Sequence, residues 1–143
     1  MRERDLMADY TITATVQRPY DETVAAVRGH LAEAGFGVLT EIDLKATLKA
    51  KLDVNVAPQI ILGACRPQLA HQALAVEPSI AALLPCNVVV RAIDETTTVV
   101  EAFDPDVMIS FAGADSAGNA LREVATDARE RLTTALTRLT EED

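Results

Sequence analysis

The sequence predicts a single α+β domain built on a mixed sheet of about five strands, with the helices packed mainly on one face of that sheet. Two kinds of pattern predict this class. In some segments apolar and polar residues alternate, as in strands, and in others apolar residues recur every three or four positions, as in helices. These segments follow one another in the order β-α-β-α-β-α-β-β-α. The two adjacent strands near the end form a hairpin, which excludes an all-parallel doubly wound sheet.

The first strand and helix have clear boundaries in the sequence. Residues Tyr10 to Val16 alternate between apolar side chains and threonines, which predicts a half-buried strand. Asp21 is predicted to cap the helix that follows, whose apolar side chains recur at helical spacing. Gly35 is predicted to end this helix in the left-handed conformation.

The second strand is predicted from Val38 to Ile42 and leads directly into a short helix. Asp43 is positioned to cap that helix, which runs from Leu44 to Leu52. The helix carries three lysines and no acidic residue, and we interpret this basic segment as a solvated helix face.

The middle of the chain contains a buried strand, a helix and a second covered strand. The apolar run Gln59 to Gly63 predicts a central strand, and a helix follows from Pro67 to about Val76. Ser79 is predicted to cap a further helical turn, Ile80 to Leu84. Cys86 and Asn87 then open the strand that continues through Val88 to Ala92.

The C-terminal part completes the hairpin and ends in a long helix. Residues Thr97 to Phe103 form the second hairpin strand, 106–111 fit a short strand or a loop, and 113–116 read as a linker. The last helix is predicted from about Ala117 to Leu139, so that the domain core spans about 10–111. Its apolar stripe is expected to pack on the sheet, although pairing with a second subunit would need the same pattern.

Composition excludes several classes of function. A chain of 143 residues, 49% of them hydrophobic, can build one core without disulfides or metals. A net charge of −9, from 13 basic and 22 acidic residues, argues against nucleic acid and against an anionic membrane surface as partners. No apolar run approaches the ~20 residues of a spanning helix, and the first ten residues lack the apolar region of an export signal. We therefore expect a soluble, cytoplasmic protein with free thiols.

The turn from Gly63 to Pro67 is the local feature with the clearest chemical meaning. Cys65 lies between a strand end and a helix start, where the helix N-terminus and the neighbouring Arg66 both favour a thiolate. Pro67 removes one N–H donor and weakens that effect. His71 lies about a turn and a half into the helix and is a candidate to face the same side.

Cys86 begins the next strand and is a second thiol that could lie near Cys65 in the folded chain. If the two meet, Cys65, Cys86 and His71 could bind a soft metal such as Zn²⁺ or Cu(I), or the thiols could form a redox-switched disulfide. The 20 residues between the cysteines match no standard zinc motif, and cysteine often only fills space in a core. Packing, thiol chemistry and metal or ligand binding therefore all stay open.

Three blocks of sequence, Gly35 to Leu48, Ile61 to Cys65 and Leu83 to Val90, together resemble domain-of-unknown-function family 302, over roughly 10–111. The resemblance implies a compact α+β fold, usually homodimeric, found in bacteria and archaea and without an established activity. Many members carry Cys-Asn-Pro where this chain has Arg66 between Cys65 and Pro67, so the amide of that position is missing here.

These observations lead to one predicted function and two alternatives. The prediction is a homodimer that binds a small molecule or a soft metal at a cleft, with no catalytic residue assigned and the cofactor left unknown. The ligand-binding residues are predicted to be Cys65, Arg66, His71, Cys86 and Asn87, with Cys65, Cys86 and His71 as metal ligands. The first alternative is a redox sensor or enzyme that uses a Cys65 thiolate. The second is a non-catalytic interaction module whose C-terminal helix meets a partner.

Overall fold

The computed structural model describes residues 9–111 and 116–142. The strands are β1 (Thr11–Val16), β2 (Gly37–Asp43), β3 (Gln59–Cys65), β4 (Cys86–Ala92) and β5 (Thr98–Phe103). The α-helices are α1 (Tyr20–Glu33), α2 (Leu44–Leu52), α3 (Pro67–Val76) and α4 (Ser116–Glu141), and two 3-10 helices cover Pro78–Leu83 and Pro105–Phe111. The predicted class and element order are confirmed. Most of the predicted linker at 113–116 lies outside the described residues.

The five strands form one sheet in the order β1-β5-β4-β3-β2, and all four pairs of neighbours are antiparallel. The pairing thus differs from the mixed sheet that the sequence predicted. The reason lies in the connection from β1 through α1 to β2. This crossover joins two strands of the same direction, but they lie at opposite edges of the sheet. Three strands separate them, so no parallel neighbours form.

The hydrophobic core lies on one face of the sheet, which α1 and α4 cover. Antiparallel partners point to the same side, so the register places both residues of every second pair on this face. Leu31 of α1 and Leu132 of α4 are fully buried against it. The strand residues in this core are Ala14, Val16, Ile60, Leu62, Ala64, Val88, Val90, Val100 and Ala102. The prediction of helices mainly on one face is therefore confirmed.

The N-cap of α1 lies two residues before the predicted one. Pro19, and not Asp21, occupies the N-cap, and Asp21 lies in the first turn. The Pro19 carbonyl accepts hydrogen bonds from the backbone N–H and the hydroxyl of the buried Thr23, at 3.0 and 2.9 Å. These bonds fix the first turn without a side-chain cap. At the other end, Gly35 has φ +92°, as its predicted left-handed role requires.

The predicted cap of α2 is confirmed, but the cap predicted for the turn after α3 is wrong. The Asp43 carboxylate accepts the Ala46 N–H at 2.9 Å. Ser79 does not cap the turn that follows α3; its N–H donates to the Glu77 carboxylate instead, at 3.3 Å. That turn is a 3-10 helix, and a second 3-10 helix occupies the segment that the sequence left open between strand and loop.

The apolar stripe of α4 packs within the chain, as predicted. Its residues are divided between the core under the sheet and a second cluster with α3. They are Leu121, Val124, Ala128, Leu132, Ala135 and Leu139, all buried. This stripe is therefore already occupied and does not offer a surface for a partner. No helix in the described part of the chain combines the length and the apolarity needed to cross a membrane.

Candidate functional site

Cys65 and Cys86 line one small apolar pocket between the sheet and the helices α3 and α4. Cys65 is the last residue of β3. Cys86 is the first residue of β4, and its partner across the strands is Ala64, which directly precedes Cys65. Leu69, Met108 and other apolar side chains complete the wall. The cavity measures about 30 Å³, which is room for one or two molecules the size of water but not for an organic ligand.

The two thiols differ in their environment. Burial raises the pKa of the Cys86 thiol from 9.0 to about 11, and the nearby Cys65 adds to this shift. Cys86 is therefore a poor nucleophile at neutral pH, because only the thiolate attacks. Cys65 is partly exposed, and both cysteines are free thiols. The arrangement allows thiol chemistry to begin only at Cys65.

The structure does not bring the other predicted site residues into one cluster. Arg66 lines the cysteine pocket, and its buried Nε has no hydrogen-bond partner within the described residues. His71 is exposed on α3 and does not line this pocket. Asn87 lines a different groove, described below. Within 9–111 and 116–142, no three His, Cys, Asp or Glu side chains are grouped so that they could hold a metal ion.

The difference between the cysteines predicts their alkylation rates. With iodoacetamide at pH 8 we expect Cys65 to react first and Cys86 to react roughly 100-fold more slowly than an ordinary thiol, because its pKa is about 11. The Cys86 rate should rise with pH up to that value. Mass spectrometry of timed samples measures both rates. In urea the two rates should become equal, and equal rates in the folded protein would contradict the assigned burial.

The face of the sheet opposite the core is not covered by α1, α3 or α4, and we call it the open face. The register fixes which side chains it carries, because they alternate with the core residues along each strand. They are the side chains of Thr11, Thr13 and Thr15 of β1, Val99, Glu101 and Phe103 of β5, Asn87, Val89 and Arg91 of β4, and Gln59 and Ile61 of β3, and Gly63 of β3 lies on the same face without a side chain.

A groove of about 420 Å³ lies on this face. The chain entering β4 forms one wall through Leu83 and Pro85, and Tyr10 and Phe103 stand at the β1–β5 side. The remaining lining residues are Thr11, Gln59, Asn87, Val89, Arg91 and Glu101. Apolar walls with a few polar groups among them, in a volume between 300 and 1,000 Å³, are typical of small-molecule sites.

The polar groups of this groove form a braced ion pair. Arg91 Nη1 donates to Glu101 Oε1, which joins β4 to β5. The hydroxyls of Thr11 and Thr13 both donate to Glu101 Oε2, at 3.0 and 3.5 Å. The side chain of Glu101 is 12% exposed and that of Arg91 is 28% exposed. The carboxylate is thus held from three directions and keeps the more exposed guanidinium in place.

Comparisons with known proteins identify the family. Residues 12–139 match the sequence family described as "Domain of unknown function DUF302". The chain belongs to the DUF302 family. Its structure is also similar to one titled "Crystal structure of uncharacterized conserved protein DUF302 from Bacillus stearothermophilus", with 30% identity and a TM-score of 0.80. That match covers 92% of this chain and 99% of the other. No curated protein matches the sequence.

The DUF302 match extends past the predicted resemblance at 10–111 and includes nearly all of α4.

The groove was not predicted, although the sequence contains a signal for it. Arg91 and Glu101 are charged residues within two strands of a predicted hairpin, each next to an apolar residue of the core face. Aligning the hairpin would have placed both on the opposite face. Thr11 and Thr13 join them only through the pairing of β1 with β5, which is not local in sequence.

Proposed function

We propose that this DUF302 domain binds a small organic molecule in the open-face groove and acts as a homodimer. The observation that carries the proposal is the ion pair of Arg91 and Glu101, braced by two threonine hydroxyls on the floor of a groove of about 420 Å³. The proposal keeps the small-molecule part of the sequence prediction and moves it to the other face of the sheet.

The ion pair is poorly explained as a device for stability alone. An apolar pair of similar volume at a partly buried position is often as stable as an ion pair or more so, because desolvating the charges costs free energy. A sheet face in water ordinarily carries polar side chains. Here Val89 is the strand partner of Glu101, Phe103 lines the same groove, and both charged side chains are largely buried. Fixed polar groups within apolar walls suit recognition of a ligand.

The volumes of the cysteine pocket and the groove favour the groove as the ligand site. The cysteine pocket, at about 30 Å³, has no room for an organic molecule, and the groove has more than ten times that volume. Of the residues first predicted to bind a ligand, Asn87 lines the groove. Cys65, Arg66 and Cys86 line the smaller pocket instead. The absence of a third ligand-type side chain near them, within the described residues, removes the reason to propose a metal.

Filling the groove should abolish ligand binding. We expect at least one of four probes (phenol, indole, benzamide and benzoate) to shift the backbone amide signals of groove residues in ¹H–¹⁵N spectra. Val89→Phe places a ring in the groove and should remove these shifts. Thr15→Phe adds a ring to the same face outside the groove and should leave them unchanged. Shifts that persist in Val89→Phe, or no groove shifts with any probe, would contradict the proposal.

The sheet edge formed by β2 and α2 supports the homodimer. The nine-residue helix α2 buries no residue, and a helix of that length is marginal by itself in water. Four of the seven large exposed apolar side chains among the described residues lie in or beside this edge: Leu39, Ile42, Leu52 and Val54. The lysines of α2 also stand out on a chain of net charge −9. A second copy would cover the apolar side chains and bring an acidic surface to these lysines.

Charges at this edge should therefore separate the subunits. We expect the unaltered chain to sediment as a dimer and Leu39→Glu/Leu52→Glu to sediment as a monomer, because these side chains are 64% and 66% exposed in the single chain and their replacement leaves its core intact. Ile93→Glu, in the β4–β5 turn, is the matched control and should remain dimeric. Analytical ultracentrifugation distinguishes the states. A dimer that survives the double substitution, or an unaltered chain that is monomeric, would exclude this interface.

A further inference from the structure

We infer that the ligand of the open-face groove is a small organic monocarboxylate, an apolar body with one carboxylate that pairs with Arg91. This inference rests on the proposed ligand-binding function and adds the chemical class of the ligand. It depends on the distribution of charge and exposure among the groove residues.

Arg91 is the one cation among the described residues that line the groove, and Glu101 is the one acid. A ligand cation would have to use Glu101, whose carboxylate already accepts from Arg91, Thr11 and Thr13. It would also meet the guanidinium of Arg91 at close range. Both facts disfavour a cationic ligand.

Arg91 is better placed to receive a ligand group. Its side chain is 28% exposed against 12% for Glu101, so the guanidinium is the more accessible half of the pair. A guanidinium has five N–H donors in a planar fork, and the bond to Glu101 goes through Nη1. The planar fork matches the two oxygens of a carboxylate. Glu101 and the two threonines would then act as positioning residues that hold the fork in orientation.

The other lining groups indicate the rest of the ligand. Leu83, Pro85, Val89 and Phe103 are apolar and suit an aliphatic or aromatic body. A ligand body packed against them would displace water, and a charge-assisted hydrogen bond is stronger where the local dielectric is low. Gln59 and Asn87 bring side-chain amides for a hydroxyl or carbonyl on that body.

A single carboxylate fits the electrostatics better than a polyanion. The groove holds one guanidinium, whose charge Glu101 already balances, and the chain carries a net charge of −9 that repels further negative charge. Phosphate-rich ligands need several basic groups. At physiological salt the repulsion from distant acidic residues is screened within about 8 Å, so one charge at Arg91 is tolerated.

Benzoate and benzamide test this inference, since they share their shape and differ in charge. On the unaltered chain we expect benzoate to bind about tenfold more tightly than benzamide or better, as measured by titration of groove amide signals, and to weaken as salt is raised. Arg91→Gln/Glu101→Gln removes both charges together and leaves no carboxylate unpaired. It should reduce benzoate affinity by about tenfold or more while benzamide affinity changes little. Arg28→Gln, outside the groove, is the control and should change neither.

The outcomes separate this inference from the function on which it rests. Equal or tighter binding of benzamide, or benzoate binding that survives the double substitution, would overturn the carboxylate while leaving the groove as a ligand site. The same holds if phenol or indole shifts the groove signals and benzoate does not. If none of the four probes shifts them, the proposed function fails as well. The comparison of benzoate with benzamide needs no variant, so it still decides the matter if the double substitution does not fold.

Discussion

Replacing Gly63 by alanine is expected to lower the free energy of unfolding by about 3 kcal/mol, the upper end of the typical cost of overpacking a buried site. Gly63 is buried in β3, and the side chains of Thr40 and Pro85 lie directly over its Cα on the open face. A methyl group there would overlap the Thr40 hydroxyl and come within 2.8 Å of Pro85 Cγ. The proline ring cannot rotate away, so β2 or the chain entering β4 must shift.

Gly29→Ala provides the matched control for this substitution. Gly29 lies inside α1, and a methyl group added there meets nothing within 4 Å. Because alanine is a better helix former than glycine, this variant should gain about 0.5–1 kcal/mol. Urea unfolding curves measure both changes. A Gly63→Ala variant within about 0.5 kcal/mol of the unaltered chain would show that the contact over Gly63 relaxes easily, which close packing does not predict.

Glu101→Ala is expected to cost about 2 kcal/mol and to loosen the groove. The substitution removes the acceptor of three hydrogen bonds and leaves the guanidinium of Arg91 partly desolvated without its partner. Breaking a fully buried pair typically costs about 3–5 kcal/mol, and the 28% exposure of Arg91 reduces this. We also expect weaker binding of any ligand that uses Arg91. Urea unfolding and probe titration measure the two effects separately.

An exposed ion pair in the same protein shows how much of this cost comes from burial. Arg28 and Glu41 join α1 to β2, with side chains 38% and 53% exposed. Glu41→Ala should change stability by less than about 0.5 kcal/mol, because exposed pairs contribute little. In a double-mutant cycle, Arg91→Ala should lose less stability when Glu101 is already absent. Equal losses from Glu41→Ala and Glu101→Ala would mean that the groove pair is solvated like any surface pair.

Local patterns predicted most of the elements and some of their ends. Alternation over 10–16 and helical spacing in 117–139 each appear in the structure within a few residues. Asp43 and Gly35 were identified as helix ends because capping and a positive φ depend on nearest neighbours. The cap of α1 was misplaced by two residues because Pro19 and Thr23 satisfy the first turn through a backbone carbonyl.

The candidate site was the less predictable part, for a physical reason. Cys65 and Cys86 were expected to meet and do line one pocket, but its size depends on how closely α3 and α4 approach the sheet, which one-dimensional spacing does not contain. His71 was placed on the right helix, yet it is exposed and lines no part of that pocket. The groove needs β1 beside β5, a contact between residues about 90 positions apart.

The sequence by itself therefore determined the class, the element order and the family of this single α+β chain. Hydrophobic periodicity, caps and glycines act over a few residues and can be read in one dimension. Only the tertiary structure decided that every strand pair is antiparallel, that the cysteines share a cavity of about 30 Å³, and that a braced ion pair lies in a groove on the other face. Those properties come from long-range strand pairing, which depends on the cooperative packing of the whole chain.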